Sequence, residues 1–269
     1  MEENKDTNIK ATIDAVTGLV QAIPIYQDTL QPSAKQIGKS LETVAKTVNI
    51  ALAPIKALVW GYEKIEEYLN IRVSEKLKNV PEENIVTPPP SIAGPAVEAL
   101  RFTGEDINLR ELYANLLAGS MDIRTQHLIH PGYVEILKNL STDEAVLLQV
   151  FLSKRQYPLV DIKGTLSENI GSLTHYSNFS HFPNIIKLKF PELIPTYLDN
   201  LTRLGLTEIP YDAYITAANT YESLENDKSL DKIKLTIRNL NQEVTFDRKI
   251  IRTTSLGKNF IDNVVKEKQ

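Results

Sequence analysis

The sequence predicts a mainly α protein, an N-terminal helical bundle followed by a winged-helix-like α+β C-terminal domain. Three observations carry that expectation. Apolar residues recur at helical spacing through the first 80 positions, a proline run at Pro88, Pro89 and Pro90 interrupts them, and residues 141–269 join capped helices to short alternating apolar segments. The expected division is a helical region over 1–80, a Pro-rich linker over 81–95, a central helical pair over 96–140 and the winged-helix-like domain over 141–269.

In the first region, Ile9, Ile13, Val16, Val20 and Ile23 step by three and four residues, a helix that should stop near Pro24. A longer stripe runs from Ile37 and Leu41 through Leu52, Ile55 and Val59 to Ile65 and Leu69, and Pro54 should bend or split it. Around that hinge the chain is apolar on nearly every side. The stretch 48–60 (VNIALAPIKALVW) is about 13 residues long and carries Asn49 and Lys56, against the roughly 20 apolar residues of a spanning helix. It reads as a buried core helix; its residues Leu52, Pro54, Ile55, Leu58, Val59 and Trp60 form a candidate segment for a partner chain or, on activation, a membrane surface.

The Pro-rich stretch over 80–95 favours an extended connector. Pro95 is placed to open the next helix, Asn108 with Glu111 has an N-cap layout, and Leu109, Leu112, Tyr113, Leu116 and Leu117 form its apolar stripe. Arg110, Glu111, Asn115 and Asp122 decorate that helix and are read as salt bridges and caps. Ser141-Thr142-Asp143-Glu144 is a capping box and starts another helix. Beyond it come a short strand over 157–162, a polar stretch of about 30 residues, a helix from Ile194 to Gly205, a strand over 206–209, and a hairpin pairing Ile233, Leu235 and Ile237 with Val244, Phe246 and Ile250. A last helix holds Phe260, Ile261, Val264 and Val265. Helix, strand, two helices, hairpin and helix is the winged-helix order.

Composition narrows the chemistry. With 42% hydrophobic and 24% charged residues over 269 positions, the chain is an ordinary globular one. Zero Cys removes disulfides, thiolate metal sites and cysteine nucleophiles. The net charge of -4 removes a global attraction to nucleic acid, and the expected reading helix, 191–205, holds Glu192 and Asp199 against a single Arg203. Local contacts to nucleic acid would fall to Arg248, Lys249 and Arg252 in the wing. Phosphate-loop, dinucleotide, zinc-hydrolase and nucleophile-elbow motifs are absent. His127, His130, His175 and His181 would need to converge with a carboxylate such as Glu135 to hold a metal, so no metal, cofactor or catalytic residue is assigned. The polar, acidic start at residues 1–10 lacks the pattern of a secretory signal, and the expected location is the cytoplasm.

The segments 28–38 (DTLQPSAKQIG), 51–62 (ALAPIKALVWGY), 88–95 (PPPSIAGP), 109–122 (LRELYANLLAGSMD) and 130–144 (HPGYVEILKNLSTDE) together resemble the bacterial abortive-infection alpha family, with looser likeness at 201–206 (LTRLGL) and 254–260 (TSLGKNF). The resemblance implies phage defence in which infected cells stop growing or die before phage release. It supplies no catalytic residues. The expectation is a non-enzymatic factor with a protein partner or phage component; a homo-oligomer is a further expectation, and the charge pattern argues against nucleic acid. Two alternatives accompany it, a membrane-acting effector that inserts the segment around Pro54 and a winged-helix regulator that binds nucleic acid.

Overall fold

The computed structural model describes residues 60–166 and 171–267. The first expected helix, the Pro54 hinge and the segment 48–59 lie outside the described residues. The chain divides between Val134 and Glu135 into two compact units.

Among its described residues the N-terminal unit packs three long helices. Helix α1 (Tyr62–Leu77) continues the long sequence stripe and buries Ile65, Leu69 and Val73, a stripe four residues apart. Helix α2 (Pro90–Thr103) begins one residue after Pro89, with Pro90 in the first turn, where its missing donor costs nothing. The helix therefore starts earlier than expected from Pro95, which lies inside it. Helix α3 (Ile107–Met121) is capped by Asp106, whose carboxylate accepts from the N–H groups of Asn108 and Leu109, and not by Asn108. Glu111 does not return to the cap; its carboxylate accepts from Tyr68 and Arg72. The connector is hydrogen-bonded in place: Val86 N–H donates to Met121 O at 2.8 Å and Ile123 N–H to Asn84 O at 2.9 Å. Leu100, Leu112, Leu116 and Leu117 complete the core.

The C-terminal unit begins inside α4 (Gly132–Lys138) and is built on a four-stranded antiparallel sheet. Ser141 caps α5 (Thr142–Leu147) in the expected capping box, with Glu144 returning to the Ser141 N–H at 2.6 Å. After α6 (Val150–Ser153), strand β1 (Gln156–Thr165) pairs with β2 (Ser172–Phe179). Helix α7 (Phe182–Ile185), helix α8 (Ile194–Arg203) and strand β3 (Thr207–Glu208) follow. Helix α8 ends as the sequence predicts: Gly205 adopts φ +72 and Leu206 N–H reaches back to Leu201 O. Next come α9 (Glu222–Glu225), α10 (Asp231–Asn239), β4 (Glu243–Thr253) and α11 (Ser255–Phe260), which runs on as a π-helical turn, Ile261–Val265. The strand order is β2-β1-β4-β3.

Two expectations fail here. Residues 231–239 form α10 and not a hairpin arm: Ile237 is buried with Leu230 against Ile162, while Leu235 points to solvent, 57% exposed. The spacing Leu230, Ile233, Ile237 is helical, and it wins over the alternation seen in the same letters. The partner of β4 is β1, with Gln156 opposite Arg252 and Thr165 opposite Glu243. The polar stretch after the first strand also contains β2, whose side chains are mostly exposed or half-buried and so leave little apolar signature. One face of the sheet carries Val160, Ile162 and Phe246 under Tyr221, Leu224, Leu230 and Ile237. Phe151, Tyr157 and Phe182 pack together with centroids 5.2 to 6.0 Å apart.

Candidate functional site

Ionisable and aromatic side chains gather in one cluster in the N-terminal unit and in separate pairs in the C-terminal unit. In the N-terminal unit, Trp60, Lys64, Tyr68, Arg72 and Lys76 recur every four residues, so α1 and the residue leading into it present them as one stripe. Opposite stand Glu105, Arg110 and Glu111. The Glu111 carboxylate accepts from Tyr68 Oη at 2.8 Å and from Arg72 at 2.8 Å on both oxygens, and Lys76 Nζ lies 3.1 Å away. Arg72 also pairs with Glu75. Burial pushes the Glu111 carboxyl up, but the bonds from Arg72, Tyr68 and Lys76 outweigh it and leave it at about 2. Burial and the Glu111 hydrogen bond raise Tyr68 well above the ordinary phenol range. This group fastens α1 to α3.

Trp60 occupies the other end of the stripe. Its Nε1 donates to Glu105 at 2.6 Å, Lys64 Nζ lies 4.7 Å from its ring centroid, and Tyr68 meets it edge-on at 5.9 Å. The Arg110 guanidinium stacks on both rings, 5.1 Å from Tyr68 and 6.0 Å from Trp60, and donates to Gly104 O. Gly104 has no room for a side chain, since a Cβ there would overlap the Trp60 ring. Of the candidate apolar segment, Trp60 alone is described, and it is 5% exposed. The stripe at intervals of four was legible in the sequence, but no periodicity shows that its charges face Glu105 and Glu111.

In the C-terminal unit the three candidate nucleic-acid contacts lie on β4, and each is paired with a carboxylate. Arg248 grips Glu225 with Nε at 2.6 Å and a second nitrogen at 3.0 Å, and stacks over Tyr221. Arg252 Nε meets Glu208 at 2.6 Å. Lys249 lies 2.7 Å from both Asp161 and the Asn178 side-chain oxygen, and Asn178 N–H donates to Asp161 at 2.8 Å. Strand alternation sets Lys249 on the face opposite Arg248 and Arg252. The structure does not merge the three into one basic surface.

Three of the four histidines are separately engaged: His130 accepts from Gly132 N–H, His175 bonds Gln242 at 2.9 Å and His181 bonds Asp227 at 2.9 Å. Among the described residues no group of three His, Asp or Glu side chains is placed to hold a metal ion. No helix among them is long and apolar enough to cross a membrane. Sequence reasoning missed Asp143, whose carboxylate accepts from Lys189 N–H, Phe190 N–H and Tyr197 Oη at 2.8 to 3.0 Å and so fixes the turn before α8. It also missed the loop after β3, where Tyr211 is 98% exposed.

The described fold is that of a mainly helical protein with a small antiparallel sheet, and its polar clusters join elements of the same unit. The chain belongs to the abortive infection alpha family, whose model matches residues 61–264. No curated protein matches it. Among solved structures, an uncharacterized protein from the hydrocarbon-degrading marine bacterium Alcanivorax borkumensis SK2 is 20% identical. That match covers 54% of this chain and 96% of the other, with a TM-score of 0.35.

Proposed function

We propose that the protein is a cytoplasmic, non-enzymatic phage-defence factor of the abortive-infection type that acts by engaging a protein partner or phage component through its C-terminal unit. The observation that carries this reading is family membership over residues 61–264. The C-terminal unit is an elaborated winged helix: the strand order β1-β4-β3 with α8 between β1 and β3 supports that reading, and β2 and the α9–α10 segment are insertions into it.

A protein partner is favoured over nucleic acid by what surrounds the reading helix. On α8, Asn200 donates to Asn139 O and Glu144, Arg203 donates to Asn200, and Asp199 accepts from Asn178. Those polar groups are spent within the unit, and the cations of β4 are neutralised by Glu225, Asp161 and Glu208. A phosphate-tracking surface needs unpaired Lys and Arg. The experiment is expression in a phage-sensitive bacterial host, scored for phage yield and cell survival. Reduced yield with loss of infected cells is the expected result; unchanged plating across a broad phage panel would overturn the reading.

A further inference from the structure

The turn that leads into α8 carries apolar side chains outward. Phe190 is 45% exposed and Leu193 43% exposed, with Pro191 exposed between them. One 3-10 turn joins the two, closed by Leu193 N–H donating to Phe190 O at 3.1 Å. Residues three apart on such a turn eclipse, so both side chains stand on one side of it. The chain just before is extended at Ile186 and then alternates: Lys187 and Lys189 are exposed, and Leu188 is buried between them. Lys189 Nζ lies 5.1 Å from the Phe190 ring centroid. Asp143 fixes this arrangement through the N–H groups of Lys189 and Phe190. The charges follow a set order, with Lys187 and Lys189 ahead of Phe190 and Glu192 after it. Among the described residues none of these three forms an ion pair.

We propose that this surface is a contact between two copies of the chain, related by a two-fold axis that passes beside Phe190. An isologous contact must be complementary to itself. Rotation about that axis reverses the order of the charges, so the lysines of each copy face Glu192 of the other, and the Phe190 and Leu193 side chains meet in the middle. The occupant follows from that order. An anionic bilayer would attract the lysines and repel Glu192, and a foreign chain would have to carry both signs in the opposite sense; a second copy supplies them by symmetry. The turn is already ordered by Asp143, so association spends little on arranging it. An aromatic centre with a charged rim is also the arrangement that concentrates binding energy at an interface. A contact of so few side chains falls below about 1,200 Å² in total, which makes the dimer a reversible one with a Kd on the order of micromolar. The inference does not depend on the defence reading.

Sedimentation equilibrium of the full-length protein between about 1 and 100 μM should show a monomer–dimer equilibrium. Phe190→Ser with Leu193→Ser, both at exposed positions, should weaken it by roughly tenfold or more. Glu192→Lys sets like charges against each other and should weaken it by roughly fivefold. The fully reversed chain, Lys187→Glu with Lys189→Glu and Glu192→Lys, should recover the association of the unaltered protein. Because the chain has no cysteine, proximity can be read separately. Pro191→Cys, beside the axis, should cross-link to its own copy under mild oxidation faster than Tyr211→Cys, which is 98% exposed in the same unit. A monomer at every concentration, a dimer indifferent to these substitutions, no recovery in the reversed chain, or cross-linking at Tyr211→Cys as fast as at Pro191→Cys would each overturn the proposal.

Discussion

Replacing Glu111 by Gln removes the carboxylate shared by Tyr68, Arg72 and Lys76, and the cost follows from the electrostatics of the site. The folded carboxyl titrates at about 2. An unfolded glutamate titrates near 4.3, a difference worth about 3 kcal/mol, reduced to about 2 kcal/mol by solvent screening because the side chain is a quarter exposed. The contact with Lys76, whose side chain is 5% exposed, is already part of that figure. Because the folded pKa is depressed, this stabilisation is complete above the unfolded pKa and is lost as pH falls toward 2. Urea unfolding of the full chain, followed by emission of Trp60, the only tryptophan, reads the N-terminal unit directly. At pH 7 the Glu111→Gln midpoint should fall by about 1 M for an m-value near 2 kcal/mol/M. By pH 2.5 the gap should shrink to less than half. A gap that is constant between these pH values, or no destabilisation at pH 7, would refute the account.

Gly104→Ala should displace the Trp60 ring, shifting its emission to the red and costing about 1 to 3 kcal/mol in the same urea assay. Ser141→Ala breaks the capping box of α5 and should lower stability by about 1 kcal/mol in thermal unfolding, with Ser141→Asp restoring most of it. Asp143→Ala strands the N–H groups of Lys189 and Phe190 and the Tyr197 hydroxyl, for a loss of about 2 to 4 kcal/mol by chemical denaturation. Burial raises the Asp143 carboxyl, but the three donors outweigh it and hold it below the usual range, so the loss should diminish as pH falls through that range. Arg248→Ala should leave binding to duplex DNA no weaker in a mobility-shift titration at low salt, since its charge is already taken up by Glu225.

Local signals in the sequence are legible where they act over one turn of helix. The Ser141 capping box and the Gly205 helix terminus are decided by neighbouring backbone groups and stand where the letters place them. The errors come from long-range partners. Glu111 resembles a capping residue because its true partners, Tyr68 and Arg72, are 43 and 39 residues away. Val244, Phe246 and Ile250 were correctly extended, yet their pairing partner is β1 and not the segment just before them. Arg248, Lys249 and Arg252 look like a basic wing in one dimension, and only the fold brings Glu225, Asp161 and Glu208 against them.

The pairing of β1 with β4 also sets a clock on synthesis. Thr165 and Thr245 bond across that pair from positions 80 residues apart. At roughly 5 to 20 residues per second, a ribosome needs about 4 to 16 seconds to make that interval. During it β1 has β2 on one side and an open hydrogen-bonding edge on the other, with Leu159 and Ile162 in the strand that waits. A nascent chain stalled before residue 243 would carry that edge unprotected, and aggregation of the unit should be most acute for truncations that end between β3 and β4.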